Sequence, residues 1–175
     1  MATTKVVTGE VRASYVNVFA PRLNDLSGQE EYSMAIIIPK TDKKALSAIS
    51  GAIEAAKKNK WPKTAPANCR SPLRDGDTEK DDPEYKGHYW INLKSKTKPG
   101  IIDARKFPVT DEMSFISGDY CRVSMNAYSY SQKGNNGVSF GLNNIQTLRK
   151  GEPMTGRTRA EDDFGEVEVE SGIPF

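Results

Sequence analysis

The stretch DYCRVSMNAYSYS, residues 119–131, decides the fold. Its alternate positions Cys121, Val123, Met125 and Ala127 are small or apolar, while Tyr120, Arg122, Ser124, Asn126, Tyr128 and Tyr130 occupy the positions between them. A β-strand sends successive side chains to opposite faces, so this period of two predicts a strand with one face in a core and the other in water. Lys133-Gly134-Asn135-Asn136-Gly137 reads as a turn into a second strand over 138–147, with Phe140 and Leu142 facing the core, which makes a hairpin.

Toward the N-terminus, residues 88–96 repeat the pattern. Tyr89, Ile91 and Leu93 fall on one side and His88, Trp90, Asn92, Lys94 and Lys96 on the other. Residues 5–20 read as a long first strand with a bend or bulge near Gly9 and Ala13-Ser14, ended by Pro21. After a polar turn over 24–29, the run Tyr32-Ser33-Met34-Ala35-Ile36-Ile37-Ile38 reads as a strand buried on both faces and stopped by Pro39. One helix is clear. Thr41 or Asp42 can cap it, Leu46, Ile49, Ile53 and Ala56 form its apolar stripe, and Lys57-Lys58-Asn59-Lys60 closes it at the negative end of its dipole. Residues 61–87 hold four prolines, two glycines and a dense charge mixture, and read as a long loop excursion. A Lys98-Pro99-Gly100 turn, a short extended piece over 101–103 and a loop to Gly118 lead back to the opening stretch.

About five strands, one helix and a final hairpin predict a mainly β domain: a small five-stranded antiparallel barrel of OB-fold type spanning residues 1–150. Residues 151–175 read as a linker followed by an acidic tail too poor in apolar residues to pack, hence disordered in isolation. The 175 residues suffice for one such domain plus a tail. With 37% apolar and 27% charged residues, a mean hydropathy of −0.62 and no apolar run near ~20 residues, a soluble domain is expected and no membrane partner. The first nine residues do not read as a secretory signal, so the expected location is a cytoplasm.

Charge is segregated along the chain. All 25 Lys and Arg precede residue 160, against 17 of the 23 acids, so a body of charge +8 carries a tail of charge −6. Two distant cysteines, Cys69 and Cys121, and a single histidine, His88, exclude a standard zinc finger, a histidine-cluster metal site and a disulfide scaffold. The acidic loop 74–84 resembles a calcium loop at Asp75, Asp77 and Glu79, but Lys80 and Lys86 stand where the glycine and glutamate are needed, so no metal or other cofactor is expected.

Two constellations fit unpaired nucleic acid. If the polar faces of the third and fourth strands share one side of the barrel, Trp90, Asn92, Lys94, Lys96, Tyr120, Arg122, Tyr128 and Tyr130 make a wall of rings and cations, which Lys98, Arg105 and Lys106 extend. Rings stack bases and cations meet phosphates. An ordinary half-solvated sheet would carry the same residues. Lys58, Lys60 and Trp61, with Lys57 and Lys63, offer a smaller set at the helix end, where a solvated terminus with a packed tryptophan is the competing reading. At the C-terminus, Glu168, Glu170, Ile173, Pro174 and Phe175 set an apolar plug behind negative charge, suited to a pocket rimmed by Arg or Lys on a partner protein rather than to a plain solubility tail.

The ending Gly172-Ile173-Pro174-Phe175 after an acidic stretch resembles the tip of bacterial single-stranded DNA-binding proteins, which recruits replication and repair enzymes. The body resembles a bacteriophage family of OB-fold single-stranded DNA-binding proteins. That likeness runs through residues 7–19 and 32–40, the helix, Pro72-Leu73-Arg74-Asp75-Gly76-Asp77, Gly87-His88-Tyr89-Trp90-Ile91-Asn92, Lys98-Pro99-Gly100, Gly141-Leu142-Asn143-Asn144 and residues 157–164. It implies a non-enzymatic protein in the bacterial host cytoplasm. Such a protein coats single-stranded DNA during phage replication and recombination, recruits a polymerase, nuclease or recombinase through its tail, and leaves self-association open. An RNA-binding or cold-shock-like module is the alternative on the same barrel, and a metal-dependent nuclease or recombination enzyme the rival of another class. In one respect the sequence departs from the usual OB-fold, which sets its helix between strands three and four: here the helix follows the second clear strand, so either a short strand precedes it or the helix is relocated.

Overall fold

The computed structural model describes residues 3–25, 28–154 and 164–167. Its strands are β1 (Lys5–Val7), β2 (Val11–Asn24), β3 (Gln29–Pro39), β4 (Arg74–Asp75), β5 (His88–Ser95), β6 (Gly100–Ile102), β7 (Tyr120–Gln132) and β8 (Asn135–Arg149), with the helix α1 (Lys43–Lys60) between β3 and β4. Following the pairings, β2 joins β3, β3 joins β5, β5 joins β8, β8 joins β7, and β7 returns to β2. The ring is a closed five-stranded barrel.

The all-antiparallel expectation needs one correction. An odd number of strands in a closed ring cannot alternate direction all the way round, so one pair has to be parallel. Here it is β5 with β8, in the register Leu93↔Phe140 and Lys94↔Gly141, and β6 then continues alongside β8 in the same sense. Pro21 does not end β2 either. It falls in the register break between Asn17 and Arg22, where no ladder bond requires its missing N–H.

The barrel interior follows the alternation. Val11, Ala13, Met34, Ile36, Ile38, Ile91, Leu93, Cys121, Val123, Met125, Phe140 and Leu142 are all buried in one core cluster. Burial, with Asp119 nearby, pushes the Cys121 thiol up to about 12, which leaves it protonated and inert. Helix α1 starts at Asp42, whose carboxylate accepts the Ala45 N–H at 3.1 Å, and Ile49, Ala52, Ile53 and Ala56 close the core against β7, β1 and β8. The Ser129 hydroxyl donates to the Ala56 carbonyl at 2.7 Å and fixes the helix end to β7. Among the described residues no extra barrel strand precedes α1; the helix is relocated to the connection between the second and third barrel strands.

Residues 61–87 are more ordered than a loop excursion. Where β5 and β8 diverge, the chain bridges them: Arg70 exchanges backbone bonds with Asn136 and Val138, and β4 pairs with β5 at Arg74↔Trp90 and Asp75↔Tyr89. Lys40 clamps this segment, with its ammonium 2.7 Å from both the Asp75 and Asp77 carboxylates, and those bonds hold both acids below their usual range. Gly76 sits so tightly that a Cβ there would run into the carbonyl oxygens of Tyr85 and His88. The acidic loop is therefore a structural clasp.

Candidate nucleic-acid interface

Along β7 the predicted outward set is on the outer face: Arg122, Asn126 and Tyr128 are exposed and Tyr120, Ser124 and Tyr130 half-buried, while Cys121, Val123, Met125 and Ala127 between them are buried and Ser129 is half-buried. The turn into β8 is tighter than expected, with only Lys133 and Gly134 between the paired Gln132 and Asn135, both at positive φ as a two-residue hairpin turn requires. This register sets glycines on β8 beneath the tyrosines. Gly137 is opposite Tyr130, whose ring a Cβ there would strike, and a Cβ at Gly141 would come 3.8 Å from the Tyr128 ring. On this face β8 carries only Ser139 between the two glycines, and Tyr128 keeps 49% of its surface.

Cations flank these rings. The registers align Lys5 with Asn126, Asn126 with Gly141 and Gly141 with Lys94, one row across four strands. At ~4.8 Å per strand, the two lysines stand about 14 Å apart with the asparagine between them. Asn92 and Lys94 are exposed on β5, so the polar faces of β5 and β7 lie on the same side of the barrel, joined through β8. Farther along this face, Arg122 donates to the Thr8 carbonyl at 3.0 Å and, with Ser124, Gly100, Asn144 and Gln146, lines a groove of about 260 Å³. Lys96 and Lys98 are exposed on the β5–β6 connection. Arg105 is exposed in a loop whose backbone N–H groups at Arg105 and Phe107 are gathered by the Asp103 carboxylate at 2.9 and 3.0 Å. Lys58 and Lys60 are exposed at the end of α1, and half-buried Trp61 caps that helix under Lys60.

Two expected platforms are not open. Trp90 is on the outer face of β5 but only 8% exposed, because the clasp folds back over it. Tyr85 meets it edge-on at 6.2 Å, and Arg74 and Lys80 lie 5.5 and 4.6 Å from its ring. Its indole N–H has no hydrogen-bond partner among the described residues. Tyr120 is also occupied: Arg149, itself paired with Glu10, stacks 3.8 Å from its ring, and Arg12 approaches at 5.8 Å. The tail residues Glu168, Glu170, Ile173, Pro174 and Phe175 lie outside the described residues.

Sequence reasoning missed Lys5, Arg74 and the 61% exposed Phe107. Lys5 becomes visible only through its register with Asn126, and Arg74 was hidden among the balanced charges of the excursion. Phe107 carried a legible signal, a ring directly after Arg105-Lys106.

Against known proteins, the described fold recurs in phage single-stranded DNA-binding proteins. The structure of that protein from bacteriophage Enc34 in complex with ssDNA matches with a TM-score of 0.77 at 22% identity, covering 86% of this chain and 89% of that one. The gp2.5 single-stranded DNA-binding protein of bacteriophage T7 matches with a TM-score of 0.59 at 14% identity, over 92% of this chain and all of that one. A relative from Acyrthosiphon pisum secondary endosymbiont phage 1, putative protein p50, is 28% identical over 162 residues, 87% of each chain. The family model described as Enterobacter phage Enc34, ssDNA-binding protein matches residues 4–173, nearly the whole length, and the chain belongs to that family.

Proposed function

We propose that this chain coats single-stranded DNA without strong sequence preference during phage replication and recombination in the host cytoplasm. The observation that carries the reading is the pair Tyr128 and Tyr130, laid beside Gly137, Ser139 and Gly141 of β8 with Lys5 and Lys94 on either side. Any base offers a π-face to a ring, and any nucleotide offers a phosphate to a lysine, so this geometry reads a strand rather than a sequence. Family membership supports it, and the Enc34 relative is described in complex with ssDNA. The acid pairs that could attract a metal, Asp75 and Asp77, are held instead by Lys40, which supports a binding role over a catalytic one.

The tail belongs to the same reading. Six acids within residues 161–170, tethered to a basic body, act at an effective concentration that reaches the millimolar range and compete with phosphates. The tail's second role is capture of a DNA polymerase, nuclease or recombinase through Ile173, Pro174 and Phe175. Titrating labelled single-stranded DNA, single-stranded RNA and duplex at two salt concentrations tests the function: single-stranded DNA is bound most tightly, and tighter RNA binding would move the chain to the RNA-binding alternative. Removing residues 160–175 raises affinity, most at low salt. Equal affinity with and without the tail would remove its competitive role.

A further inference from the structure

Tyr15 is an anomaly in β2. The β2–β3 register breaks between Ser14 and Asn17, and within the break Tyr15 takes φ 48°, a left-handed conformation in which a bulky side chain is strained. Packing does not explain the tyrosine, since its side chain is turned outward and 55% exposed. Glycine or asparagine would hold the same backbone more easily.

Above the ring stands Lys80, at the end of the clasp. Its ammonium lies 4.9 Å from the Tyr15 ring, 5.3 Å from Tyr85 and 4.6 Å from Trp90, and 3.5 Å from the Tyr15 hydroxyl. Two neighbouring cations are neutralised, Lys40 by Asp75 and Asp77 and Arg74 by Glu79. Lys80 makes no ion pair among the described residues: three rings fix its position and leave its charge free. On the β8 side the same segment reaches Tyr130: Arg70 bridges to Gly137, the register partner of Tyr130, and Arg74 pairs with Trp90 and lies 5.5 Å from its ring. Rings and cations therefore run across this segment from β7 to β2: Tyr130, Arg74, Trp90, Lys80, Tyr15. Beyond Tyr15 the adjoining cavity is lined by Asp82 and Glu84 against the single cation Arg22, a net negative surround that disfavours a further phosphate.

We propose that Tyr15 and Lys80 form a second nucleotide station, the base stacked on Tyr15 and its phosphate on Lys80, and that this station ends a track which begins at Tyr128 and Tyr130 and crosses the barrel over Arg74. The inference rests on the single-stranded DNA reading above and names the far limit of the bound strand.

The test uses the full chain and a labelled oligothymidylate of about 16 nucleotides, the upper range of site size for one such barrel. Tyr15→Gly relieves the backbone strain and removes the ring, so its melting temperature is expected to equal or exceed that of wild type while affinity falls about five- to a hundred-fold. Tyr15→Phe keeps the ring and binds like wild type. Lys80→Met keeps the aliphatic stem over the rings and should make the salt dependence shallower by about 0.7 in log–log slope, one phosphate's worth. Wild-type affinity in Tyr15→Gly, or a loss that appears only together with a fallen melting temperature, overturns the station. If Tyr128→Ala weakens binding while Tyr15→Gly does not, the station falls and the single-stranded DNA reading stands; if the wild-type chain binds no oligothymidylate, both fall.

Discussion

Tyr128 on β7 and Trp90 on β5 are brought to the outside of the same barrel by the same period of two, yet one ring is half open and the other is sealed. The difference comes from what lies above each. Beside Tyr128 the neighbouring strand offers only Gly137, Ser139 and Gly141, whereas over Trp90 the chain returns through Arg74, Lys80 and Tyr85 and builds a small second core with Ile37. Alternation thus assigns a face, and long-range chain return decides whether that face meets water.

The comparison breaks most visibly in stability. Trp90→Ala is expected to lower unfolding free energy by about 3–5 kcal/mol, as for a large aromatic removed from a core, whereas Tyr128→Ala changes it by no more than ~0.5 kcal/mol. Urea titration followed by circular dichroism measures both. Equal losses would mean that Trp90 is not the centre of a packed cluster. Trp90→Phe sharpens the point, because it keeps a ring while deleting the buried N–H that has no partner. Its loss should fall well short of that in Trp90→Ala.

Next in size are the charges beside the tyrosines. Lys94→Ala and Lys5→Ala should each flatten the dependence of log affinity on log salt by about 0.7 and leave stability nearly unchanged. Lys43→Ala, on the first turn of α1 away from that row, is the control and should leave the slope alone. The smallest effect is that of acid on the clasp. Lys40 lowers the pKa of Asp75 and Asp77, and Arg74 that of Glu79, so the unfolded chain binds these protons first as pH falls. The stability they add is complete above the ordinary values of 3.8 and 4.5 and is lost as pH drops through the lowered ones. All three carboxylates are on the surface, where water weakens such pairs, so the shift in acid midpoint between wild type and Asp77→Asn should be small.

Local rules carried much of the fold. The stripe Leu46, Ile49, Ile53 and Ala56 with Asp42 before it places α1 correctly, and the alternation in residues 119–131 places β7 and its hairpin partner. What the sequence did not reveal depends on partners far along the chain. Pro21 reads as a strand end until the bulge opposite β3 is known, and the parallel β5–β8 pair follows from ring closure, which no local pattern records. The candidate site divides in the same way. Asn126, Tyr128 and Lys94 were legible from alternation, because the face they occupy has no cover. The openness of Trp90 and Tyr120 was misread since their covers, the clasp and Arg149, come from other elements of the chain. Lys5 was overlooked because its place opposite Asn126 exists only in the assembled sheet.

The central claim is that single-stranded DNA lies on the open tyrosine face of β7 and β8. The most direct measurement is the dissociation constant of a labelled oligothymidylate for wild type and for the chain carrying both Tyr128→Ala and Tyr130→Ala, at low and high salt. The account predicts weaker binding at both salts, by about 1–3 kcal/mol for each ring that stacks a base, with an unchanged salt slope. Wild-type affinity in the doubly substituted chain would contradict it.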